Sequence, residues 1–230
     1  MDTFTTDATG TVTLPESLVP GTYYVRETSA KEPYLVGEEI EVNIPADMNL
    51  TPVAIASYYD RAATGNIRIV KTDAIDGSSL AGAVFEIRAS GDIVRPDGSI
   101  AALDGETVAT VTTDETGEAR ADNLPLGSGT ARYEVVETQA PAGFLLDQTT
   151  HIVDLTYADQ KTPVVEARLN VSDDYTKVDI SKVDASGEQE VEGAQLTLYG
   201  PDKTEIDSWT SSDKPHLSLI HISEPTRPIS

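Results

Sequence analysis

A lysine and two carboxylic acids stand where strand alternation would turn them toward a protein core. Each follows two apolar residues at alternate positions: Ile67 and Ile69 before Lys71, Tyr133 and Val135 before Glu137, and Leu169 and Val171 before Asp173. Alternate residues of a strand point the same way, so all three charged side chains are expected to face inward. An isolated buried charge costs several kcal/mol, so the three groups are expected to meet.

The chemistry open to such a group is amide formation. Burial favours the neutral forms of an amine and of a carboxylic acid, which are a nucleophile and an electrophile. Contact between them gives a very high effective concentration, and a second carboxyl group can shuttle the proton and polarise the carbonyl. We therefore predict a covalent amide between Lys71 and Asp173, formed with loss of water, with Glu137 as the catalytic proton shuttle.

The elements that would position these residues are strands. Apolar residues alternate with period two, and no helical period is sustained. Turn signals separate the runs, as in Asp76-Gly77, Asp104-Gly105, Thr116-Gly117 and Pro141-Ala142-Gly143. Many short strands joined by Gly- and Pro-containing turns predict an all-β fold of antiparallel β-sandwich type.

Internal repetition sets the domain organisation. Matching residues recur at a spacing of about 110 residues, the size of one sandwich domain: Gly10 and Gly117 are 107 positions apart, Glu27 and Glu137 are 110, and Lys71 and Lys182 are 111. We expect tandem units: the back part of one domain at 1–62, a complete domain at 63–174, and the front part of a third at 175–216. Signal and sorting motifs are then expected to be missing through truncation.

The last residues are expected to be foreign to the fold. Residues 217–230 begin Leu-Ser-Leu-Ile-His-Ile-Ser-Glu-Pro-Thr-Arg, which looks like the translation of a sequencing-library adapter, so we predict a non-native tail. The other interpretation is that Leu217 to Ile222 is a real strand, because its alternation permits one.

Composition excludes several classes of function. The chain has 39 acidic and 16 basic residues, a net charge of -23, and no cysteine. Phosphate binding needs a basic face, so nucleic acid and anionic membranes are not expected partners. Without cysteine there are no disulfides, thiolate nucleophiles or cysteine zinc sites. No apolar stretch approaches the ~20 residues of a membrane span.

Several motifs share one order and spacing with a known family. They are Gly65 to Asp73, Leu80 to Ile87, Tyr133 to Glu137, Ala140 to Phe144, Thr176 to Asp184 and Val191 to Ala194. With these motifs the chain resembles the Cna-B-type, or SpaA-like, domains of Gram-positive surface adhesins and pilins, up to about His216. The resemblance implies a prealbumin-like fold, rigid stalks that project from the cell wall, and an intramolecular isopeptide bond from a first-strand lysine to an Asn or Asp on the last strand.

The resemblance assigns the same roles to the same residues. Lys71 and Glu137 match the lysine and the assisting acid. The Asx partner is Asp173, because it lies on the same strand face as Leu169 and Val171. Asn170 is the alternate, and it lies on the opposite face unless a bulge intervenes. Orphaned equivalents stand in the other units: Glu27 and Asp60 match the acid and the Asx of the first, whose lysine is absent, and Lys182 is the lysine of the third. Only the middle unit is expected to cross-link.

The function expected from the resemblance is that of a structural stalk module of a wall-anchored, cell-surface adhesin or pilin. Its partners would be neighbouring domains of the same chain, other pilin subunits or host extracellular matrix, without membrane insertion. We expect no enzyme beyond single-turnover amide formation, no cofactor and no metal. Asp73, Asp76, Asp114 and Asp184 lack the spacing of a calcium loop and are predicted to form turns.

Two other functions stay open. One is an adhesive module that binds a host matrix protein or a glycan, with the loop from Ser90 to Glu106 as its surface. The other is an accessory sandwich domain of an extracellular enzyme, which requires a catalytic domain elsewhere. His151 has no nucleophile motif around it, which argues against a hydrolase triad.

Overall fold

The described part of the chain is built from strands. The structure, a computed structural model, describes residues 3–14, 18–46, 57, 59–175, 177–187, 189–200 and 203–219. It separates into two compact units: Met1–Ala63 with Ala158–Pro163, and Thr64–Tyr157 with Val164–Ser230. The predicted all-β class is confirmed. No helix among the described residues has the length and apolar character of a membrane span.

The first unit contains one antiparallel strand pair. Strands β1 (Gly21–Val25) and β2 (Ile40–Ile44) pair so that Val25 lies opposite Ile40. The segment Ala158–Pro163 belongs to this unit, in which the Gln160 side-chain amide donates to the Ala30 carbonyl at 2.8 Å.

The second unit holds the sandwich. Its strands are β3 (Thr64–Asp73), β4 (Val84–Ala89), β5 (Ile93–Val94), β6 (Ile100–Ala102), β7 (Thr107–Thr112), β8 (Glu118–Pro125), β9 (Thr130–Gln139), β10 (Thr150–Thr156) and β11 (Val164–Asp173). One sheet has the order β10-β9-β4-β7, the other has the order β11-β3-β8, and β5 pairs with β6. The two larger sheets supply the inner faces of the sandwich.

The core follows the period-two pattern of both sheets. Ile67 and Ile69 of β3, and Phe85, Tyr133 and Val135 of the other sheet, have no solvent exposure. Each side chain of this size removed from water contributes about 1.5–3 kcal/mol. These residues stand on the strands that carry the candidate site.

The sheets approach closely at Gly65. A Cβ placed there would lie 2.6 Å from the Leu155 Cδ1 atom of β10, so the position has no room for a side chain. The first strand of the sandwich therefore lies tightly against the opposite sheet.

One strand pair is parallel. Strand β11 runs alongside β3 in the same direction over ten residue pairs, from Val164 opposite Thr64 to Asp173 opposite Asp73, whereas the other pairs among the described strands are antiparallel. Side chains alternate in the same way in parallel and in antiparallel strands, so the sequence pattern could not show that β3 and β11 are parallel. Parallel pairing brings the ends of the first and last strands together.

Four strands follow the sandwich: β12 (Lys177–Ile180), β13 (Gln195–Tyr199), β14 (Glu205–Thr210) and β15 (His216–Leu219). Strand β12 pairs with β15, and β13 pairs with β14. Leu217 to Leu219 of the predicted non-native tail belong to β15 and pair with β12, with Leu219 opposite Lys177. That the tail is non-native stays a prediction. The rest of that tail, 220–230, lies outside the described residues.

Candidate functional site

Lys71 stands near the end of β3, and its backbone is fixed on both sides. Its N–H donates to the Gly117 carbonyl at 2.8 Å, and its carbonyl accepts from the N–H of Leu80 at 3.0 Å. Gly117 has a φ of 74°, and a Cβ there would lie 2.6 Å from the Lys71 carbonyl oxygen. Gly117 is therefore required both by its left-handed backbone and by its contact with Lys71.

The parallel register places Asp173 beside Lys71. Lys71 lies opposite Val171, and Asp173 is two residues further along β11 on the same face. Diagonal neighbours of this kind are within reach of long side chains. The Lys71 Nζ donates a hydrogen bond to Asp173 Oδ1, and both side chains have 0% exposure.

Glu137 reaches the same point from the opposite sheet. It lies on β9 opposite Phe85 of β4, with its side chain 1% exposed. Its Oε1 atom is 3.0 Å from Lys71 Nζ, and the Phe85 ring centroid is 5.6 Å from that nitrogen. The Oε2 atom accepts a hydrogen bond from the backbone N–H of Asp147 at 2.7 Å. One amine thus lies between two carboxyl groups above an aromatic ring.

The electrostatics of this triad favour protonated carboxyl groups. One ammonium cannot neutralise two buried carboxylates. Glu137 Oε1 contacts Lys71 Nζ as an ion pair without a hydrogen bond, and Asp173 Oδ2 has no hydrogen-bond partner among the described residues. Burial raises the pKa of Glu137, against the opposing effects of the Asp147 amide and Lys71. Burial also raises the pKa of Asp173, against Lys71, and the negative charge of Asp147 adds to that rise.

The arrangement is suited to one reaction. An amine touches a carboxyl group whose neutral form is favoured, and a second carboxyl group can exchange protons with both. The amine occupies the position between the two acids that a cation would need. Among the described residues, no group of three or more His, Cys, Asp or Glu side chains could hold a metal ion.

The alternate Asx residue lies elsewhere. Asn170 is exposed on β11, and its Oδ1 atom accepts a hydrogen bond from Arg168 Nε at 3.1 Å. Three positions separate it from Asp173, so the two residues face opposite sides of a strand without a bulge. Asp173, and not Asn170, is the Asx residue brought to Lys71.

The orphaned equivalents have three different surroundings. Glu27 is half-buried, and its Oε2 atom accepts from the N–H of Gly37 at 2.7 Å. Asp60 is exposed. Lys182 is also exposed, and its Nζ donates to the Val183 carbonyl at 3.3 Å. Strand β12 ends at Ile180, so the strand alternation that buries Lys71 does not extend to Lys182.

Two residues beside the triad were not found from the sequence. His151 Nε2 lies 2.8 Å from Asp147 Oδ2, and the Thr149 N–H donates to Asp147 Oδ1 at 2.9 Å. Strand alternation could have indicated them, because His151 lies on the inward face of β10 together with Val153 and Leu155. A polar residue on that face predicts a buried partner.

The four aspartates predicted to form turns accept hydrogen bonds within their own turns. The donors are the backbone N–H groups two positions on: Ile75 for Asp73, Ser78 for Asp76, Thr116 for Asp114 and Ser186 for Asp184. Asp73 also accepts from the Tyr175 hydroxyl through its other oxygen. All four carboxylates therefore serve their own turns, and that of Asp73 also bonds a residue distant in sequence.

The loop proposed as an adhesive surface forms the β5–β6 hairpin. A cleft of about 380 Å³ lies beside it, lined in part by Asp92, Ser128, Arg132 and Asp154. Arg132 and Asp154 pair with each other at 2.8 Å, and the Ser128 hydroxyl donates to the Val94 carbonyl. Much of the polar lining of this cleft is thus engaged within the protein.

Comparison with solved structures supports the fold through the first match below, and the other two are similar chains only. The Bacillus anthracis TIE protein matches with 22% identity and a TM-score of 0.59, over 94% of this chain and 37% of that chain. BcpA, the major pilin subunit of Bacillus cereus, matches with 21% identity and a TM-score of 0.34, over 53% and 31% of the two chains. The shaft pilin SpaA from Lactobacillus rhamnosus GG matches with 18% identity and a TM-score of 0.36, over 75% and 69%. The chain thus spans about a third of the length of the first two.

Comparison with domain families gives the classification. No curated protein matches the chain. The sequence profile described as SpaA, prealbumin-like fold domain, matches residues 1–57 and again residues 65–169. These two matches cover well over half of the sequence, and the second contains both Lys71 and Glu137. The chain belongs to the SpaA family of prealbumin-like fold domains.

Proposed function

We propose that this chain is a stalk module of a Gram-positive cell-surface protein, an adhesin or a pilin, whose middle domain is closed by a self-formed isopeptide bond. The observation that carries the proposal is the contact between Lys71 and Asp173 in the dry interior, with Glu137 beside them. Membership of the SpaA family supports the surface role.

The proposed reaction is a balanced condensation. The neutral Lys71 amine attacks the carboxyl carbon of protonated Asp173, and the C–N bond forms as the carbonyl electrons move to oxygen. Protonated Glu137 gives its proton to that oxygen, takes a proton from the nitrogen and passes it to one hydroxyl group, which leaves as water. The carbonyl re-forms as the remaining hydroxyl group returns its proton to Glu137. Glu137 returns to its starting protonation state, so the domain needs no cofactor and carries out the reaction once.

The position of the bond suits a protein under tension. The chain enters the sandwich at the start of β3 and leaves it at the end of β11, and these two strands are parallel neighbours. Tension along the chain would therefore load ten residue pairs in shear. An amide between Lys71 and Asp173 would pass the force directly from β3 to β11 and leave the residues between them unloaded.

The surface role is proposed together with its partners. The neighbouring domains of the same chain are the first partners of a stalk, and other pilin subunits are the next. The net charge of -23 would keep such an extended surface protein soluble. Self-directed bond formation is the only chemistry proposed.

Single-molecule stretching tests the mechanical role. When the full chain is pulled from its two ends, the residues between Lys71 and Asp173 should not extend, because the amide bridges them. In the Lys71→Ala chain they should add roughly 350 Å of contour length on unfolding, the extended length of 102 residues. Asn170→Ala is the matched control on β11 and should stretch like the parent chain.

The outcomes are distinct. A parent chain that releases the extra length as readily as Lys71→Ala would contradict the stalk proposal, because the domain would then unfold completely under load. A parent chain that withholds this length, while Lys71→Ala releases it, supports the proposal.

A further inference from the structure

The acid of the triad is held by a turn rather than by its own strand alone. Glu137 lies on β9, and its Oε2 atom accepts a hydrogen bond from the backbone N–H of Asp147, ten residues later. Asp147 stands in the connection between β9 and β10. The placement of the Glu137 carboxyl group therefore depends on where this connection holds that N–H group.

The side chain of Asp147 fixes the connection at both of its oxygens. The Thr149 N–H donates to Oδ1 at 2.9 Å, and His151 Nε2 lies 2.8 Å from Oδ2. Burial raises the pKa of Asp147, but hydrogen bonds from Thr149 and His151 outweigh it and hold that pKa below its ordinary value. The carboxylate is then ionised and accepts, so His151 Nε2–H is the donor.

His151 connects this turn back to the strand that carries Glu137. On β10 it lies opposite Val135 of β9, two residues before Glu137. The contacts form a closed path from Glu137 to the Asp147 amide, through the Asp147 carboxylate to His151, and across the strand pair to Val135. Both His151 and Asp147 are half-buried, with side chains 22% and 19% exposed.

The first unit keeps the amide contact but lacks the side chains of this path. Glu27 accepts from the N–H of Gly37, also ten residues later and also at 2.7 Å. Gly37 has no carboxylate, and Ile40, which lies opposite Val25 as His151 lies opposite Val135, has no hydrogen-bond donor in its side chain. We call the contacts of the Asp147 carboxylate with the Thr149 N–H and with His151 the Asp147–His151 clamp. This clamp is found in the unit that contains Lys71, in addition to the backbone contact that both units share.

We propose that Asp147 and His151 are positioning residues that hold Glu137 in line for proton transfer during formation of the Lys71–Asp173 amide. The inference rests on the proposed function, because it assigns a role in that same reaction. Proton shuttling requires heavy atoms within about 2.6–3.2 Å, so small displacements of the Glu137 carboxyl group weaken it. Neither residue touches the reacting atoms, and both act through Glu137.

The test measures the rate of bond formation in the full chain. Cell-free synthesis of the chain is stopped at intervals in acidic denaturant, and intact mass separates bonded from unbonded chains by one water molecule. The rate of amide formation of each variant is divided by the fraction of its chains that is folded, so that a loss of stability is not counted as a loss of rate. His151→Ala should slow the reaction on the order of 10-fold to 100-fold, the effect expected of a misplaced catalytic group. His151→Gln, whose side-chain N–H can replace Nε2–H, should restore most of the rate.

A second variant addresses the same path from its other side. Asp147→Ala keeps the backbone N–H but removes the carboxylate, so it should be as slow as His151→Ala, and the double variant should be no slower than either single one. Ile152→Ala, an exposed neighbour on β10, should react at the parent rate. This variant series remains informative if His151→Ala alone fails to fold.

Three results would contradict the positioning role of Asp147 and His151. A His151→Ala rate equal to that of the parent chain, a His151→Gln rate as low as that of His151→Ala, or additive losses in the double variant would each overturn the positioning role. A parent chain that never loses water would instead overturn the proposed function. The two failures are therefore distinguishable in one experiment.

Discussion

Glu137 and Glu27 stand at matching places in two units and differ in what surrounds them. Each accepts a backbone N–H from the residue ten positions later at 2.7 Å. Glu137 is 1% exposed and lies 3.0 Å from a lysine nitrogen, whereas Glu27 is half-buried. The strand pair presents the acid in both units, whereas the buried lysine that contacts Glu137 comes from the other sheet.

The lysines differ in the same way. Lys71 is fully buried between two sheets, but Lys182, at the matching place in the sequence repeat, is exposed and bonds a neighbouring carbonyl. A lysine in the right motif is therefore not sufficient. Contact with an acid at a site closed to solvent makes the difference.

Removing either lysine is the largest test of this comparison. Lys71→Met should prevent the amide and leave two carboxyl groups without their cation. Closing a loop of this length by a covalent bond is worth about 5 kcal/mol by analogy with disulfides, so the free energy of unfolding should fall by at least that amount. Lys182→Met should leave it unchanged. Denaturant unfolding measures both, and equal stabilities would contradict the assigned difference.

Neutralising either acid tests the catalytic role. Glu137→Gln removes the proton shuttle and should slow amide formation by about 10²–10⁴-fold, the usual contribution of a general acid–base. Glu27→Gln is the matched change in the first unit and should leave the rate as it was. Time-resolved intact mass gives both rates, and a Glu137→Gln chain that loses water at the parent rate would remove Glu137 from the mechanism.

The pH dependence of the uncross-linked domain sharpens the electrostatic part of the comparison. In Lys71→Met, Glu137 and Asp173 remain buried without the cation that lowers their pKa values. An acid with a raised folded-state pKa binds more protons when folded, so its stabilisation is complete below the ordinary pKa and is lost as pH rises above it. The free energy of unfolding should therefore decrease upward from about pH 4.5, the ordinary value for Glu, by up to about 1.4 kcal/mol per pH unit for each group.

A matched control for that slope replaces the acids as well. The triple variant Lys71→Met, Glu137→Gln and Asp173→Asn should lose most of this pH dependence. A slope that persists unchanged would mean that other groups produce it, and the raised pKa values of the two acids would no longer explain it.

The smallest expected effect concerns the backbone that holds Lys71. Gly117→Ala strains a left-handed position and drives a methyl group toward the Lys71 carbonyl, so it should cost about 1–3 kcal/mol. Gly77 has nearly the same φ, 75°, but a Cβ there meets nothing within 4 Å, so Gly77→Ala isolates the backbone strain. Thermal unfolding compares them, and equal losses would show that the contact with Lys71 is unimportant.

Parity alone was enough to predict much of the site. Apolar residues stand two and four positions before each of Lys71, Glu137 and Asp173, and the three side chains lie buried together. That pattern also predicted the all-β class. Both inferences work because side-chain direction in a strand is fixed by geometry and needs no knowledge of the partner strand.

The features that were not predicted depend on pairing partners. The parallel direction of β3 and β11 leaves no mark on alternation, yet it brings Asp173 to Lys71. The contact of His151 with Asp147 depends on how the β9–β10 connection folds, which spacing does not give. The exposure of Lys182 was not predicted, because its strand ends at Ile180 and strand ends are set by tertiary contacts more than by local sequence.

The most direct test of the account is the intact mass of the full chain under denaturing conditions. The account predicts a mass lower than that of the sequence by one water molecule, with the loss mapped by digestion to a Lys71–Asp173 linked peptide and abolished in Asp173→Ala. A mass equal to that of the complete sequence would contradict it, and loss of ammonia with a link to Asn170 would contradict the assigned partner.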